Sequence, residues 1–119
     1  MFSGLLQKIV ERIDGAEAAV ILGLDGIIIE RAGNSCPVDL DVIGAEYSSL
    51  MRNSARTSND TGLGTLHELM VVTEQATLMI KVLTPGYCIL LALHPHANLG
   101  RARFELRKAQ LMLAHEFAV

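Results

Sequence analysis

The chain has 119 residues, half of them apolar and 19% charged, with a formal charge of -3 and a mean hydropathy of +0.36. This length holds a single domain, residues 1–119, with a core of its own. The acidic balance lacks the Lys/Arg footprint of a nucleic-acid binder, and so apolar a composition in a small chain points to a surface that meets a partner.

Residues 3–13 read as a helix. Ser3 can cap it, and Leu5, Leu6, Ile9, Val10 and Ile13 form one stripe at helical spacing. Asp14-Gly15 stops it. The charges in this segment exclude a signal peptide. Residues 17–24 and 27–31 read as a hairpin of branched residues around Asp25-Gly26, a two-residue turn signal. The apolar run from Ala18 to Ile29 contains Asp25 and is too short to cross a bilayer, so no membrane is expected as a partner. Residues 31–37 form a loop that holds Cys36.

Residues 39–57 read as a second helix, capped by Asp39 or Asp41. Leu40, Ile43, Tyr47, Leu50, Met51 and Ser54 define one face, with the small residues Gly44, Ser48 and Ala55 beside it. Arg52 and Arg56 suit its C-terminal dipole. Residues 58–64 lead into three strands. Leu66–Thr73 is largely apolar. After a weak break at Glu74-Gln75-Ala76, the run to Leu83 alternates, with Leu78, Ile80 and Val82 on one side and Thr77, Met79, Lys81 and Leu83 on the other. Pro85-Gly86 is a type II turn signal. Ile89–Leu93 is apolar without alternation and needs cover on both faces. The last helix spans about 98–116 with Asn98 as cap. Leu99, Ala102, Leu106, Ala109, Leu113 and Phe117 share one side, while Phe104 and Leu111 fall nearly opposite. A helix apolar on two sides touches more than its own sheet.

The order is α-β-β-α-β-β-β-α. Hairpins make the neighbours antiparallel, and the helices must cover both faces of one five-stranded sheet, an α+β sandwich.

No catalytic chemistry is legible. His94-Pro-His96 and His115 lack the spacing of a metal site. Gly62-Leu-Gly64 opens a strand and is followed by no Lys-Ser/Thr, so it is not a phosphate loop. No Gly-x-Ser-x-Gly elbow occurs. The expectation is a non-enzyme without cofactor or metal. Two cysteines, Cys36 and Cys88, make no disulfide framework and favour a reducing, cytoplasmic setting.

Three segments, Ala19–Glu30, Leu63–Glu74 and Ala76–Leu93, followed by Asn98-Leu-Gly-Arg-Ala-Arg-Phe-Glu-Leu106, together resemble the roadblock family, named for a dynein light chain. The resemblance covers nearly the whole chain and implies a profilin-like sandwich that dimerises. In such proteins the third strands pair across a two-fold axis and the second helices lie side by side. Carried onto this chain, the interface takes Leu40, Gly44, Tyr47, Ser48 and Met51 of the helix and Leu66, Glu68, Leu69, Met70 and Val71 of the strand. Gly44 and Ser48 would permit the close helix contact. Without a second copy, the strand would be an exposed apolar edge. Family members commonly serve Ras-like small GTPases. The resemblance implies a homodimer or a heterodimer; the expectation adopted is a homodimeric GTPase regulator, docking through Glu46, Ser49, Arg52, Asn53 and Arg56. The alternative is a dimeric scaffold that joins assemblies without changing GTP hydrolysis.

Overall fold

The computed structural model describes the backbone of residues 3–33, 37–84 and 86–117 and, within these, every side chain except those of Ser3 and residues 114–117. The elements are α1 (Ser3–Arg12), β1 (Ala16–Gly23), β2 (Ile28–Ala32), α2 (Leu40–Asp60), β3 (Glu68–Val72), β4 (Thr77–Thr84), β5 (Tyr87–Leu93) and α3 (Leu99–Phe117). Their order is the one the hydrophobic periods imply. All strand pairings are antiparallel, and the sheet runs β2-β1-β5-β4-β3.

β5 lies at the centre, and every residue from Cys88 to Leu93 is buried. A strand without alternation needs both its faces covered, and the helices on either side of the sheet supply that here. Alternation then divides the core. Ile21, Met79, Ile89 and Leu91 pack under α1 (Leu6, Ile9, Ile13) and α3 (Ala102, Leu106, Ala109, Leu113). Val20, Leu22, Leu78, Ile80 and Leu90 face the other way, under Ile43 and Met51 of α2. The two terminal helices thus share one face and α2 alone covers the other.

The helix ends follow their capping residues. Asp39 caps α2, its carboxylate accepting from the Asp41 N–H at 2.9 Å. The helix runs on to Asp60, three residues past the expected end, and stops where Gly62 takes a φ of +81°. The Asn98 side chain accepts from the Arg101 N–H at 3.0 Å at the start of α3. Glu105 of α3 is buried, and Arg12, Arg101 and Lys108 gather round it at 3.8, 3.3 and 3.4 Å. A carboxylate out of water needs such partners, and Arg12 carries the tie back to α1.

The β1–β2 connection is longer than the two-residue turn expected at Asp25-Gly26. Gly26 donates to the Gly23 carbonyl and Gly23 to that of Ile27, with Gly26 at φ +90°. That is a three-residue loop closed by a left-handed glycine. The placements expected for Cys36 and Pro85 lie outside the described residues, as do those of the Ser3 and Phe117 side chains.

The second apolar side of α3 is not packed. Phe104 is 56% and Leu111 71% exposed, on the side away from the sheet.

Candidate functional site

A sheet of this order has two edges, and they differ. β2 carries Glu30 and Arg31, and its register with β1 breaks between Ile21 and Leu22. Charges and an irregular register both discourage a further strand from adding. β3 reads Glu-Leu-Met-Val-Val and pairs with β4 in unbroken register. It has one charged residue and no bulge, so it is the unprotected edge.

The direction of its free backbone groups follows from two hydrogen bonds. Val82 donates to the His67 carbonyl at 3.0 Å and Thr73 donates to that of Ala76 at 2.9 Å. Residues 67 and 73 therefore turn their backbone groups toward β4. In an antiparallel ladder this alternates. The N–H and C=O groups of Glu68, Met70 and Val72 accordingly point outward, a row of donors and acceptors without a strand beside it.

Side chains on the two faces of this edge are only partly covered. Leu66, Leu69 and Val71 lean into the core beneath α2 but are half-buried, as is Tyr47 of the helix. On the opposite face Met70 is 37% and Val72 68% exposed. Glu68 pairs there with Arg103 of α3 at 2.6 Å. Ile43, Tyr47 and Leu50 recur at helical spacing on α2, and the first two lie by the β3–β4 turn. Val38, Ile43 and Tyr47 line a small apolar hollow of about 140 Å³ with Thr73, Gln75, Ala76 and Leu78 around the β3–β4 turn. Edge and flank together form one apolar margin. Leu50 and Val72 belong to it; both lie within the second helix and third strand that the resemblance pairs across the two-fold axis, though not among the residues named for that contact. The alternation of β3 carries the signal for Val72; for Leu50 it is the helical spacing from Ile43 and Tyr47.

Three residues expected at a helix contact between copies have another place. Met51 is buried against the chain's own sheet. Gly44 faces inward, and a Cβ on it would meet the Gly26 carbonyl oxygen at 3.4 Å and Ile28 and Leu22 at 3.5 Å. Ser48 is buried and donates to the Ala45 carbonyl at 3.0 Å. The small residues of α2 thus admit the chain's own β1–β2 turn. Leu40 is half-buried at the start of the same helix.

The residues expected to meet a GTPase lie on the outer side of α2. Glu46, Arg52, Asn53 and Arg56 are exposed and Ser49 is half-buried. Three of them are already engaged. The Arg52 guanidinium donates to the Leu24 carbonyl, tying α2 to the β1–β2 turn, and Arg56 donates to the Asn53 side chain at 3.0 Å. On the same side Arg31 of β2 pairs with Asp41 at 2.7 Å.

Among the described residues no three His, Cys, Asp or Glu side chains come together as metal ligands. His94 uses its Nδ1 to accept from the His96 N–H at 3.1 Å. Cys88 is free and buried, and burial pushes its thiol up to about 11. A thiol kept protonated is not a nucleophile. No helix among the described residues is long and apolar enough to cross a membrane.

Comparison with known proteins places this architecture. The family model described as Roadblock/LC7 domain matches residues 3–93. An uncharacterized protein of Methanocaldococcus jannaschii is 29% identical over 100 residues, covering 82% of this chain and 81% of that protein. The solved structure of MglC from Myxococcus xanthus is 28% identical, covers 97% of this chain and 98% of its own, and has a TM-score of 0.69. Myxococcus xanthus MglB is 13% identical, with coverages of 98% and 94% and a TM-score of 0.88, a likeness of fold.

Proposed function

The chain belongs to the Roadblock/LC7 domain family, and we propose that it acts as a single-domain homodimer that regulates a Ras-like small GTPase. Domains of this family are non-catalytic regulatory or scaffolding modules, and the chain is not an enzyme. The observation that carries the proposal is the β3 edge: an apolar, bulge-free strand with its backbone groups turned outward. A second copy about a two-fold axis satisfies those groups and covers the half-buried residues Leu66, Leu69 and Val71 together with Met70 and Val72. Glu68 joins through its backbone. On the helix side Leu40, Tyr47 and Leu50 contribute, while Gly44, Ser48 and Met51 support α2 from beneath.

The two copies of α2 then lie on one face of a continuous sheet. Their outer residues Glu46, Ser49, Arg52, Asn53 and Arg56 make a composite polar surface, and this is the face assigned to the GTPase. Arg52 acts there through position, since its guanidinium already holds the β1–β2 turn. The fold shared with MglB, together with the small-GTPase service common among roadblock proteins, supports the reading. A reducing, cytoplasmic setting fits the free Cys88. No cofactor, membrane or nucleic acid enters the mechanism.

The test is to titrate the purified dimer into a Ras-like GTPase encoded beside its gene. Nucleotide turnover or nucleotide affinity should change. If neither moves while the proteins still bind, the regulator reading fails and the dimer is a scaffold. That second reading has its own support in the exposed surface of α3, on the sheet face opposite α2.

A further inference from the structure

α3 bears a surface outside the 3–93 stretch that matches the family. Phe104 and Leu111 stand two helical turns apart on its outer side and, with Arg107 and Lys108, line a shallow dish of about 210 Å³. Met112, 56% exposed, extends the apolar strip. Helical spacing puts Arg103 and Arg107 along one flank and Arg101 and Lys108 along the other. Lys108 Nζ lies 5.3 Å from the centroid of the Phe104 ring, and the Arg101 guanidinium carbon lies 5.6 Å from it.

Positive charge is in surplus here. Arg12, Arg101 and Lys108 share the single carboxylate of Glu105. Arg103 is matched by Glu68, and Arg107 forms no ion pair with any described residue. An apolar strip with cations on both flanks has the form of a groove for a helix of opposite charge.

The geometry points to α3 as the docking strip for an acidic amphipathic helix of a partner protein. One apolar side chain of that helix seats between Phe104 and Leu111. Carboxylates on its flanks meet Arg107 and the surplus charge around Glu105. A second copy's α3 is the wrong occupant, because like charges would face each other. An anionic membrane is also disfavoured, since stable attachment takes more than one small patch. α2 lies across the sheet, so the strip stays open when the α2 face is occupied.

The test uses the full chain and synthetic helices bearing a leucine stripe flanked by Glu, made in three registers, with Lys-flanked versions as controls. Phosphatidylcholine vesicles containing phosphatidylglycerol form a separate arm. At least one Glu-flanked helix should bind saturably and weaken as salt rises, with its Lys-flanked version about tenfold weaker or more. Phe104→Ser and Leu111→Ser should each weaken binding by about tenfold or more, and Arg107→Glu should do so most at low salt. These side chains are exposed, so the far-UV circular dichroism should not change. Absence of saturable binding in every register, equal binding of Glu- and Lys-flanked helices, insensitivity to the three substitutions, or capture by vesicles in place of helices would each overturn the proposal. A variant blocked at the β3 edge should bind the helix as the native chain does, so this inference and the dimer fail separately.

Discussion

Proline at position 70 probes the edge without touching the fold beneath it. The Met70 N–H points away from β4, so Met70→Pro removes no backbone hydrogen bond within the chain and only the 3.8 Å contact of the Met70 sulfur with the Arg103 guanidinium. Proline is tolerated on an edge strand in that orientation. In a two-fold pairing of β3 with its copy centred near Met70, residues 68, 70 and 72 face 72, 70 and 68. About six backbone hydrogen bonds then close the seam. The substitution deletes the central pair, one from each copy. At roughly 1 kcal/mol net apiece the loss is about 2 kcal/mol, or some thirtyfold in dimer Kd. That is a lower bound, because two carbonyls are also left facing proline rings. Sedimentation velocity over a concentration series should show the variant shifting to monomer while its far-UV spectrum persists. Leu69→Pro is the control. Its N–H points at β4, so it should unfold the strand and lower stability in the monomer itself. An unchanged dimer mass in Met70→Pro, or a native chain that sediments as a monomer throughout, would refute the edge-pairing argument.

Other outcomes follow from single contacts. Gly26→Ala forces a side chain into φ +90° and sets its Cβ 2.9 Å from Ser48 Oγ and 3.1 Å from Ala45 Cα. About 2 kcal/mol should be lost, read as a Tm drop of roughly 8 °C. Arg52→Ala frees the Leu24 carbonyl and should lower stability by about 1 kcal/mol. A larger effect on GTPase binding than on stability in that variant would mark Arg52 as part of the docking face. Cys88 should resist alkylation in the native chain at mildly alkaline pH and react once urea unfolds it. Its thiol ionises in the unfolded chain near 9.0 but in the folded one only near about 11. Stability is therefore unaffected below the lower value and falls as pH rises between the two, by at most about 1.4 kcal/mol per pH unit. Urea midpoints across that range measure it; a flat profile would mean Cys88 is not buried.

Legibility followed the local signals. Ile89–Leu93 lacks alternation, which required cover on both its faces, and the buried run from Cys88 to Leu93 has it. Leu78, Ile80 and Val82 against Met79 and Leu83 assigned the faces of β4, as the structure bears out. Asp39 and Asn98 marked two helix starts by their side-chain chemistry. The site was less legible. Gly44 and Ser48 carry the same small-residue pattern whether the close neighbour is another helix or a turn of the same chain. Periodicity tells which residues share a stripe, but not which of two stripes meets the sheet. The outward side of α3 was likewise ambiguous until Phe104 and Leu111 were found exposed.

By itself the amino-acid order determined what is local: the elements and their ends, the inward and outward faces of each strand, and the requirement that helices lie on both sides of the sheet. These depend on backbone propensity and hydrophobic period, which act over a few residues. The tertiary structure alone decided that β2 is the other margin and β5 the centre, that an irregular register guards β2 but not β3, and that Gly44 makes room for Gly26. Those facts arise from contacts between residues far apart in the chain. Such contacts are selected by how the whole core closes, and no short window of residues encodes them.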